Sequence, residues 1–339
     1  MNYIIKDENA IYYECGYSSD NALFLKLGSE AFFLTDSRYA IEAQELVQNT
    51  TVIIEGDLYA KAHELIQQSK IKKLTYDPKE WSLLHFHKLT KGLKIKFKEA
   101  PDFSHTKRII KSESELLLLR QAVRLGATAF DTLAKEIHEK WLKEDEYALT
   151  YLAKSVLSDY GKYDLSFDPI VAINANAAKP HALPTATKLH KKDLLLVDAG
   201  LKYQRYCSDR TRTVSVGKNF GFETEQYFKS KKIQKAYDLV LKAHDNAIEK
   251  ARSGMKAKEI DALTRDIITK GGYGKYFVHS TGHGVGLDIH EMPYISAKSD
   301  TIIEDAMVYT IEPGIYIPNE FGIRIEDMVV MVDGKVEVL

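Results

Sequence analysis

The segment "HSTGHGVGLDIHE" (His279–Glu291) combines three histidines with three glycines, one aspartate and one glutamate. The four-residue spacing of His279 and His283 suggests the zinc-binding helix motif His-Glu-x-x-His, but Ser280 follows His279 where that motif needs glutamate. Each glycine would also weaken a helix by about 1 kcal/mol relative to alanine. The glycines instead favour an irregular strand or loop with close backbone approach. The segment therefore predicts a bend that can direct His283 and His290 to one cavity, with purely structural histidines as the alternative.

Length and composition limit the class of protein. The 339 residues predict about two domains, and 45% hydrophobic with 28% charged residues are typical of a globular protein. A net charge of −1 gives no reason to expect nucleic acid or a membrane surface as a partner. There is no apolar run of about 18 residues and no basic stretch before an apolar core, so we expect neither a membrane span nor a secretory signal. With only two cysteines, which excludes a disulfide framework, a cytoplasmic protein is the simplest prediction.

The order of apolar segments predicts two domains of different character. In residues 1–105, strand-like runs such as "ALFLKL" and "AFFLT", joined at Gly28–Ser29, alternate with helical segments. This order predicts a small α/β domain with a largely parallel sheet. Pro101 and the polar residues after it mark the boundary. Residues 106–339 begin with the capping-box sequence Ser112–Glu115, include an amphipathic helix predicted over 223–251, and end mostly in strands, which predicts an α+β domain.

Two aspartates of the second domain lie on either side of a predicted turn. Asp198 ends the apolar run "LLLVDAG", and Asp209 follows a turn around Lys202–Gln204. A hairpin at this turn would bring both carboxylates close together. A buried carboxylate is costly unless it is hydrogen-bonded, paired or metal-bound, and capping of the turn by Asp198 is the plain alternative.

Two further carboxylates occur in strand-like segments near the C-terminus. Glu312 lies in "YTIEPGIYIP", and Arg324 and Glu326 share one strand face in "GIRIEDMVV", where a salt-bridged sheet edge is the alternative. Four carboxylates with one or two histidines favour Mn²⁺, Co²⁺ or Fe²⁺ over a structural zinc. Their charge is sufficient for two divalent ions that activate water for hydrolysis.

These motifs resemble those of the "pita-bread" metallopeptidases, which include methionine aminopeptidases, aminopeptidases P and prolidases. The resemblance rests on Asp198 in "VDAG", Asp209 in "CSDRTRT", His283 in "GHGVGLDIHE", Glu312 in "IEPGIY" and Glu326 in "RIEDMVV". It covers residues 106–339 and implies a pita-bread catalytic domain. Residues 1–105, with "LTDSRYAIEAQ", resemble the creatinase-like α/β domain that precedes it in aminopeptidases P and prolidases. Methionine aminopeptidases usually lack that domain.

The resemblance implies a dinuclear metal centre, with Mn²⁺ as the expected ion and Co²⁺, Fe²⁺ or Zn²⁺ as alternatives. Asp198 would chelate one ion, Asp209 and Glu326 would bridge both, and His283 and Glu312 would complete the second. Water activated between the ions would attack the scissile carbonyl. Glu312 would also pass a proton to the departing nitrogen.

Four other side chains acquire roles by the same resemblance. His181 in "NAAKPHALPT" and His290 would stabilise the oxyanion or position the substrate, and His279 would contact the substrate. Arg324 would hold the bridging carboxylates. The alternatives are a surface loop histidine at 181 and a structural ion pair at 324. The N-terminal domain suggests a homodimer, in which Arg38 could reach the partner's active site.

The implied substrate is a peptide with proline in the second position, whose Xaa-Pro bond is a tertiary amide without an N–H. An aminopeptidase P releases the first residue of longer peptides, whereas a prolidase cleaves Xaa-Pro dipeptides and must bind a free carboxylate, for which arginine is suited. Several prolidases of this size carry an arginine just after the His-Glu-x-Pro run, where this chain has Tyr294. We therefore predict an aminopeptidase, with an Xaa-Pro dipeptidase as the alternative if Arg38 or Arg324 binds the carboxylate. A non-enzymatic binding module would be indicated by a missing ligand, and all five ligands are present.

Overall fold

The computed structural model describes residues 1–217 and 220–339. The chain divides into two compact units, residues 1–108 and 109–339. The short helix Phe103–Arg108 belongs to the first unit, because the Phe103 ring packs edge-on against Tyr3 at 5.7 Å and Lys107 pairs with Glu14. The division therefore falls slightly later in the chain than the boundary expected from Pro101.

The first unit is a mixed sheet with flanking helices. Its strands are β1 (Tyr3–Ile5), β2 (Ala22–Leu27), β3 (Glu30–Thr35), β4 (Thr51–Ile54), β5 (Lys73–Tyr76) and β6 (Lys96–Glu99). Its helices are α1 (Glu8–Cys15), α2 (Ala40–Leu46), α3 (Leu58–Gln68), α4 (Leu83–Thr90) and α5 (Phe103–Arg108). The strand order is β4-β3-β2-β1-β5-β6. The predicted β2–β3 hairpin is confirmed, with Gly28 at φ +63°, and its tight turn makes β2 antiparallel to β3. Strand β2 is also antiparallel to β1, whereas the other three pairings are parallel.

The second unit combines helices with several separate sheets, as an α+β domain does. Its helices are α6 (Glu113–Glu136), α7 (Glu146–Leu157), α8 (Lys231–Lys250) and α9 (Ala257–Lys270). Its strands are β7 (Ile170–Ile173), β8 (Leu194–Ala199), β9 (Lys202–Tyr203), β10 (Tyr206–Cys207), β11 (Arg210–Ser215), β12 (Gly282–Gly284), β13 (Glu291–Ile295), β14 (Val308–Ile311), β15 (Gly314–Ile317), β16 (Phe321–Arg324), β17 (Asp327–Val332) and β18 (Lys335–Val338). They form sheets in the orders β11-β8-β7 and β13-β12-β14-β17-β18, together with the pairs β15–β16 and β9–β10.

Two of the predicted helix starts have different outcomes. The capping box before α6 is confirmed, because the Ser112 hydroxyl accepts from the Glu115 N–H at 3.3 Å and the Glu115 carboxylate accepts from the Ser112 N–H at 2.8 Å. The prediction of a helix from residue 223 is wrong, since α8 begins at Lys231. The segment before it runs beside the helix, where the Thr224 carbonyl accepts a 2.7 Å hydrogen bond from Tyr237.

Strand β8 is buried along its whole length and separates two apolar cores. Leu195 and Val197 pack in the core that includes α6 and α7, whereas Leu194 and Leu196 pack in the core that includes α8, β15 and β16. Because side chains alternate along a strand, Asp198 lies on the same face as Leu194 and Leu196. Within the described ranges, no helix combines the length and the apolar character needed to cross a membrane.

Candidate active site

Two antiparallel strands position the two aspartates. Asp198 near the end of β8 lies opposite Thr211 of β11, and Asp209 immediately precedes β11. The predicted hairpin is present, with its tip at Gln204 and Arg205, whose φ angles of +46° and +72° are left-handed. Both aspartates are buried, and within the described residues the Oδ1 atom of each has no hydrogen-bond partner. Two such orphaned oxygens are costly unless a cation binds them.

The glycines of the histidine segment permit close backbone contact, as the sequence predicted. Strand β12 lies between β13 and β14, with an irregular register against β13. A Cβ atom on Gly282 would lie 1.9 Å from the Thr310 carbonyl oxygen, and one on Gly284 would lie 2.2 Å from that of Met292. Only glycine therefore allows β12 to bring His283 to this place.

The His283 ring presents a lone pair to two carboxylates. Its Nδ1 lies 3.1 Å from the Gly284 carbonyl oxygen, and a carbonyl only accepts, so Nδ1 carries the proton. Its Nε2 lies 3.3 Å from Glu312 Oε1 and 3.6 Å from Asp209 Oδ2. Burial lowers the pKa of His283 to about 3, so the ring is neutral at pH 7. A neutral nitrogen acceptor facing two carboxylate oxygens fits a cation between them.

The carboxylates carry more negative charge than their surroundings neutralise. Ligand atoms of Asp209, His283 and Glu326 all lie within 4.8 Å of one another. Burial and the neighbouring carboxylates raise the pKa of Asp209 and of Glu326 well above their usual values, and burial raises the pKa of Glu312 to about 7. Carboxylate oxygens with one imidazole are a donor set suited to Mn²⁺ and similar ions. The residues present therefore fit a metal centre.

Arg324 donates a hydrogen bond from each of its three nitrogens. Its Nη2 donates to Asp198 at 2.5 Å, its Nε to the Thr211 hydroxyl at 2.9 Å and its Nη1 to the Tyr316 hydroxyl at 2.7 Å. The Thr211 hydroxyl in turn donates to Glu326 at 2.5 Å. One buried guanidinium thus orients two carboxylates of the cluster.

A cavity of about 610 Å³ opens beside this cluster. The structure brings all nine site residues named from the sequence to its wall: Asp198, Asp209, His283, Glu312, Glu326, Arg324, His181, His279 and His290. The rings of His290 and His283 are in edge-to-face contact at 4.3 Å, whereas both ring nitrogens of His279 are engaged, with Ser280 O at 2.7 Å and the Tyr316 hydroxyl at 2.8 Å. His181 and His290 are exposed and can reach a ligand in the cavity.

Residues 118–333 match metallopeptidase family M24, and residues 2–110 match the creatinase/prolidase N-terminal domain. The chain belongs to metallopeptidase family M24. A Xaa-Pro dipeptidase of Pyrococcus furiosus is 36% identical over 86% of this chain and 74% of its own length. Solved structures with the same fold include a Xaa-Pro dipeptidase from Bacillus anthracis, with a TM-score of 0.90, 30% identity and coverage of 99% of this chain and 92% of that one. They also include an X-Pro aminopeptidase from Thermotoga maritima, with a TM-score of 0.87, 29% identity and coverage of 99% and 94%.

Membership in family M24 confirms the fold class predicted from the sequence, a pita-bread catalytic domain preceded by a creatinase-like domain, and makes the chain a metallopeptidase. Three side chains at the site of this metallopeptidase were missed by the sequence analysis. Thr211 and Tyr316 bind Arg324, and Lys154 of α7 lines the cavity. The signal for Thr211 was available in "RTRT", where the two threonines share one face of the strand and the two arginines share the other.

Three positions were considered from the sequence for binding the free carboxylate of a dipeptide substrate, and each has different surroundings in this metallopeptidase. Tyr294 of β13 lines the cavity where several prolidases carry arginine. The nitrogens of Arg324 are directed at protein oxygens, as described above. Arg38, in the first unit, is held by Asp36 through two hydrogen bonds of 3.0 and 2.7 Å.

Proposed function

We propose that this metallopeptidase hydrolyses Xaa-Pro dipeptides. The observation that carries the proposal is the convergence of four carboxylates and His283 on one cavity, beside exposed His181 and His290. The relatives named Xaa-Pro dipeptidase, at 36% and 30% identity, support the dipeptidase, which was the alternative expectation from the sequence. The dipeptidase therefore takes the place of the aminopeptidase as the favoured function.

The proposed metal ligands are Asp198, Asp209, His283, Glu312 and Glu326, which would hold two divalent ions. The two orphaned aspartate oxygens and the lone pair of His283 support this assignment. When bound, the ions supply Lewis-acid activation of water and of the scissile carbonyl. Manganese as the metal, a homodimer and a cytoplasmic location stay predictions from the sequence.

Side chains of the cavity would transfer the proton, stabilise the oxyanion and contact the substrate. Glu312 is partly buried beside the cluster and can carry a proton to the departing proline nitrogen, which has no hydrogen of its own in the Xaa-Pro bond. His181 and His290 are exposed at the cavity and can donate N–H groups to the developing oxyanion. His279 has both ring nitrogens engaged, so it contacts a substrate through its ring and steadies Tyr316, which in turn binds Arg324.

The aminopeptidase is the second candidate, and one observation favours it. Tyr294 offers no positive charge at the position where several prolidases carry arginine, and its side chain is 45% exposed. A solved structure of similar fold is named an X-Pro aminopeptidase.

Dipeptide hydrolysis separates the two candidates. We expect purified protein supplied with Mn²⁺ to cleave an Xaa-Pro dipeptide with a kcat/KM about tenfold above that of Xaa-Pro-Yaa, because a charge-assisted hydrogen bond to the proline carboxylate contributes about 1.5 kcal/mol. Release of the first residue is measured for both peptides, and an Xaa-Ala dipeptide serves as the control for proline specificity. Faster cleavage of the tripeptide would favour the aminopeptidase.

A further inference from the structure

A dipeptidase needs a group that binds the free carboxylate of the substrate's proline. Arg324 is unsuited to this, because Nε, Nη1 and Nη2 all donate to protein oxygens and Nη1 also lies 3.3 Å from the Pro180 carbonyl oxygen. Turning it toward a substrate would break its bond to Asp198. Tyr294 carries no positive charge. The carboxylate anchor must therefore be sought elsewhere on the cavity wall.

Lys154 is the other long basic side chain on the cavity wall. Among residues 1–217 and 220–339, Lys154 and Arg324 are the lysine and arginine that line the cavity. Lys154 lies in the last turn of α7, and its side chain is 42% exposed. The side chain is thus partly sheltered while it remains accessible to a ligand.

The partner of Lys154 places it near the start of β7, on the wall of the cavity. Lys154 Nζ contacts Asp168 Oδ1 at 2.6 Å, and Asp168 also lines the cavity. Asp168 precedes Ile170 by two residues, about 7 Å of extended chain, and Ile170 is paired with Asp198. The ammonium group therefore lies near the start of β7, whose first residue pairs with Asp198.

The Lys154–Asp168 ion pair is easily exchanged. The Asp168 side chain is 84% exposed, so water screens the pair and solvates the aspartate when it is released. Exposed pairs of this kind contribute little to stability. A substrate carboxylate that enters the cavity can thus replace Asp168 at little cost.

Building on the proposed dipeptidase function, we propose that Lys154 binds the C-terminal carboxylate of the Xaa-Pro substrate and so determines its length specificity. Lys154 would thus do here what an arginine at the position of Tyr294 does in several prolidases. The binding is electrostatic and involves no covalent step. The contribution of Lys154 to substrate binding should therefore depend on a free carboxylate in the substrate.

Replacement of Lys154 by methionine is expected to raise KM for Ala-Pro about tenfold, because one charge-assisted hydrogen bond is lost, and to leave kcat/KM for Ala-Pro amide unchanged. Lys154→Arg should retain most of the wild-type preference for the free acid. Asp168→Asn should lower KM for Ala-Pro alone, since it removes the competing carboxylate. Steady-state kinetics on both compounds measure these effects, and the melting temperature of each variant checks folding.

Lys162→Met is the matched control, because Lys162 is also exposed and pairs with a nearby aspartate, Asp159, but does not line the cavity. It should leave both compounds unaffected. Equal losses for acid and amide in Lys154→Met, or no loss for either, would overturn the proposal. A loss confined to Ala-Pro-Yaa would also overturn it, because the anchor would then lie one residue further out. If the metal-loaded wild type cleaved none of these compounds, the proposed function itself would fail.

Discussion

Asp209→Asn is expected to lower kcat/KM for Xaa-Pro hydrolysis by more than about 100-fold. Substitutions that only disturb the support of a metal ligand cost up to about 100-fold in metal affinity or activity, and Asp209 lies within the cluster itself. Asparagine keeps the shape of the side chain but removes its negative charge. The loss should appear in activity and in the number of Mn²⁺ ions bound, which we expect to be two in the wild type.

In metal-free protein, the same variant should be more stable than the wild type. Burial and the neighbouring carboxylates raise the pKa of Asp209 above its usual value of 3.8, so the folded chain holds this proton more tightly than the unfolded chain. The native state therefore loses stability as the pH rises above about 4, up to the raised pKa. Asparagine removes that loss, so metal-free Asp209→Asn should melt above the metal-free wild type at pH 7.

Melting curves with and without Mn²⁺ test both effects together. At a metal concentration of about 100 times the Kd, binding stabilises the wild type by about 2.7 kcal/mol, which is roughly 5–10 °C for a unit of this size. Asp209→Asn should lose most of this shift. Asp333→Asn, in an exposed turn at φ +50° that asparagine tolerates, is the control and should retain it. Full activity of metal-stripped wild type would contradict the proposed mechanism.

The part of the site that the sequence predicted consists of residues with strong local signals. Asp198 interrupts an apolar strand, and the glycines around His283 exclude a helix. These signals involve only neighbouring residues, so they can be recognised before any tertiary contact is known. The β2–β3 hairpin was predictable for the same reason, through its turn at Gly28.

The missed residues depend on contacts between distant parts of the chain. Thr211 and Glu326 are 115 positions apart, and Tyr316 matters only because β15 and β16 bring its hydroxyl to Arg324. Lys154 appears in the sequence only as one of the two charged residues of α7, with Glu146, and its spacing does not indicate a site. The start of α8 was misplaced because the polar segment before it has helical spacing but is bound through Thr224 to the side of the helix. Alternation and spacing describe one element at a time and do not encode these pairings.

Lys111→Met is expected to destabilise the second unit by about 3–5 kcal/mol, the usual cost of removing one partner from a buried ion pair. Lys111 Nζ is in contact with Glu291 Oε1, and both side chains are 1% exposed. Glu291 directly follows His290, and its carboxylate packs so closely on Gly286 that a Cβ atom there would lie 2.5 Å from Oε1. The Asp288 N–H also lies 3.4 Å from Oε2. The ion pair thus stabilises the bend that connects His283 with His290.

The melting temperature of the second unit should fall by about 10 °C in Lys111→Met, at roughly 2–4 °C per kcal/mol. Lys111→Met combined with Glu291→Gln should recover part of the loss, because no buried charge then faces an apolar side chain. The control is Lys107→Met in the first unit, where the ion pair with Glu14 is partly exposed and its removal should cost less than about 1 kcal/mol. A melting temperature within about 1 °C of the wild type for Lys111→Met would correspond to less than about 0.5 kcal/mol. Such a result would mean that the histidine bend is held by its glycines and backbone contacts alone.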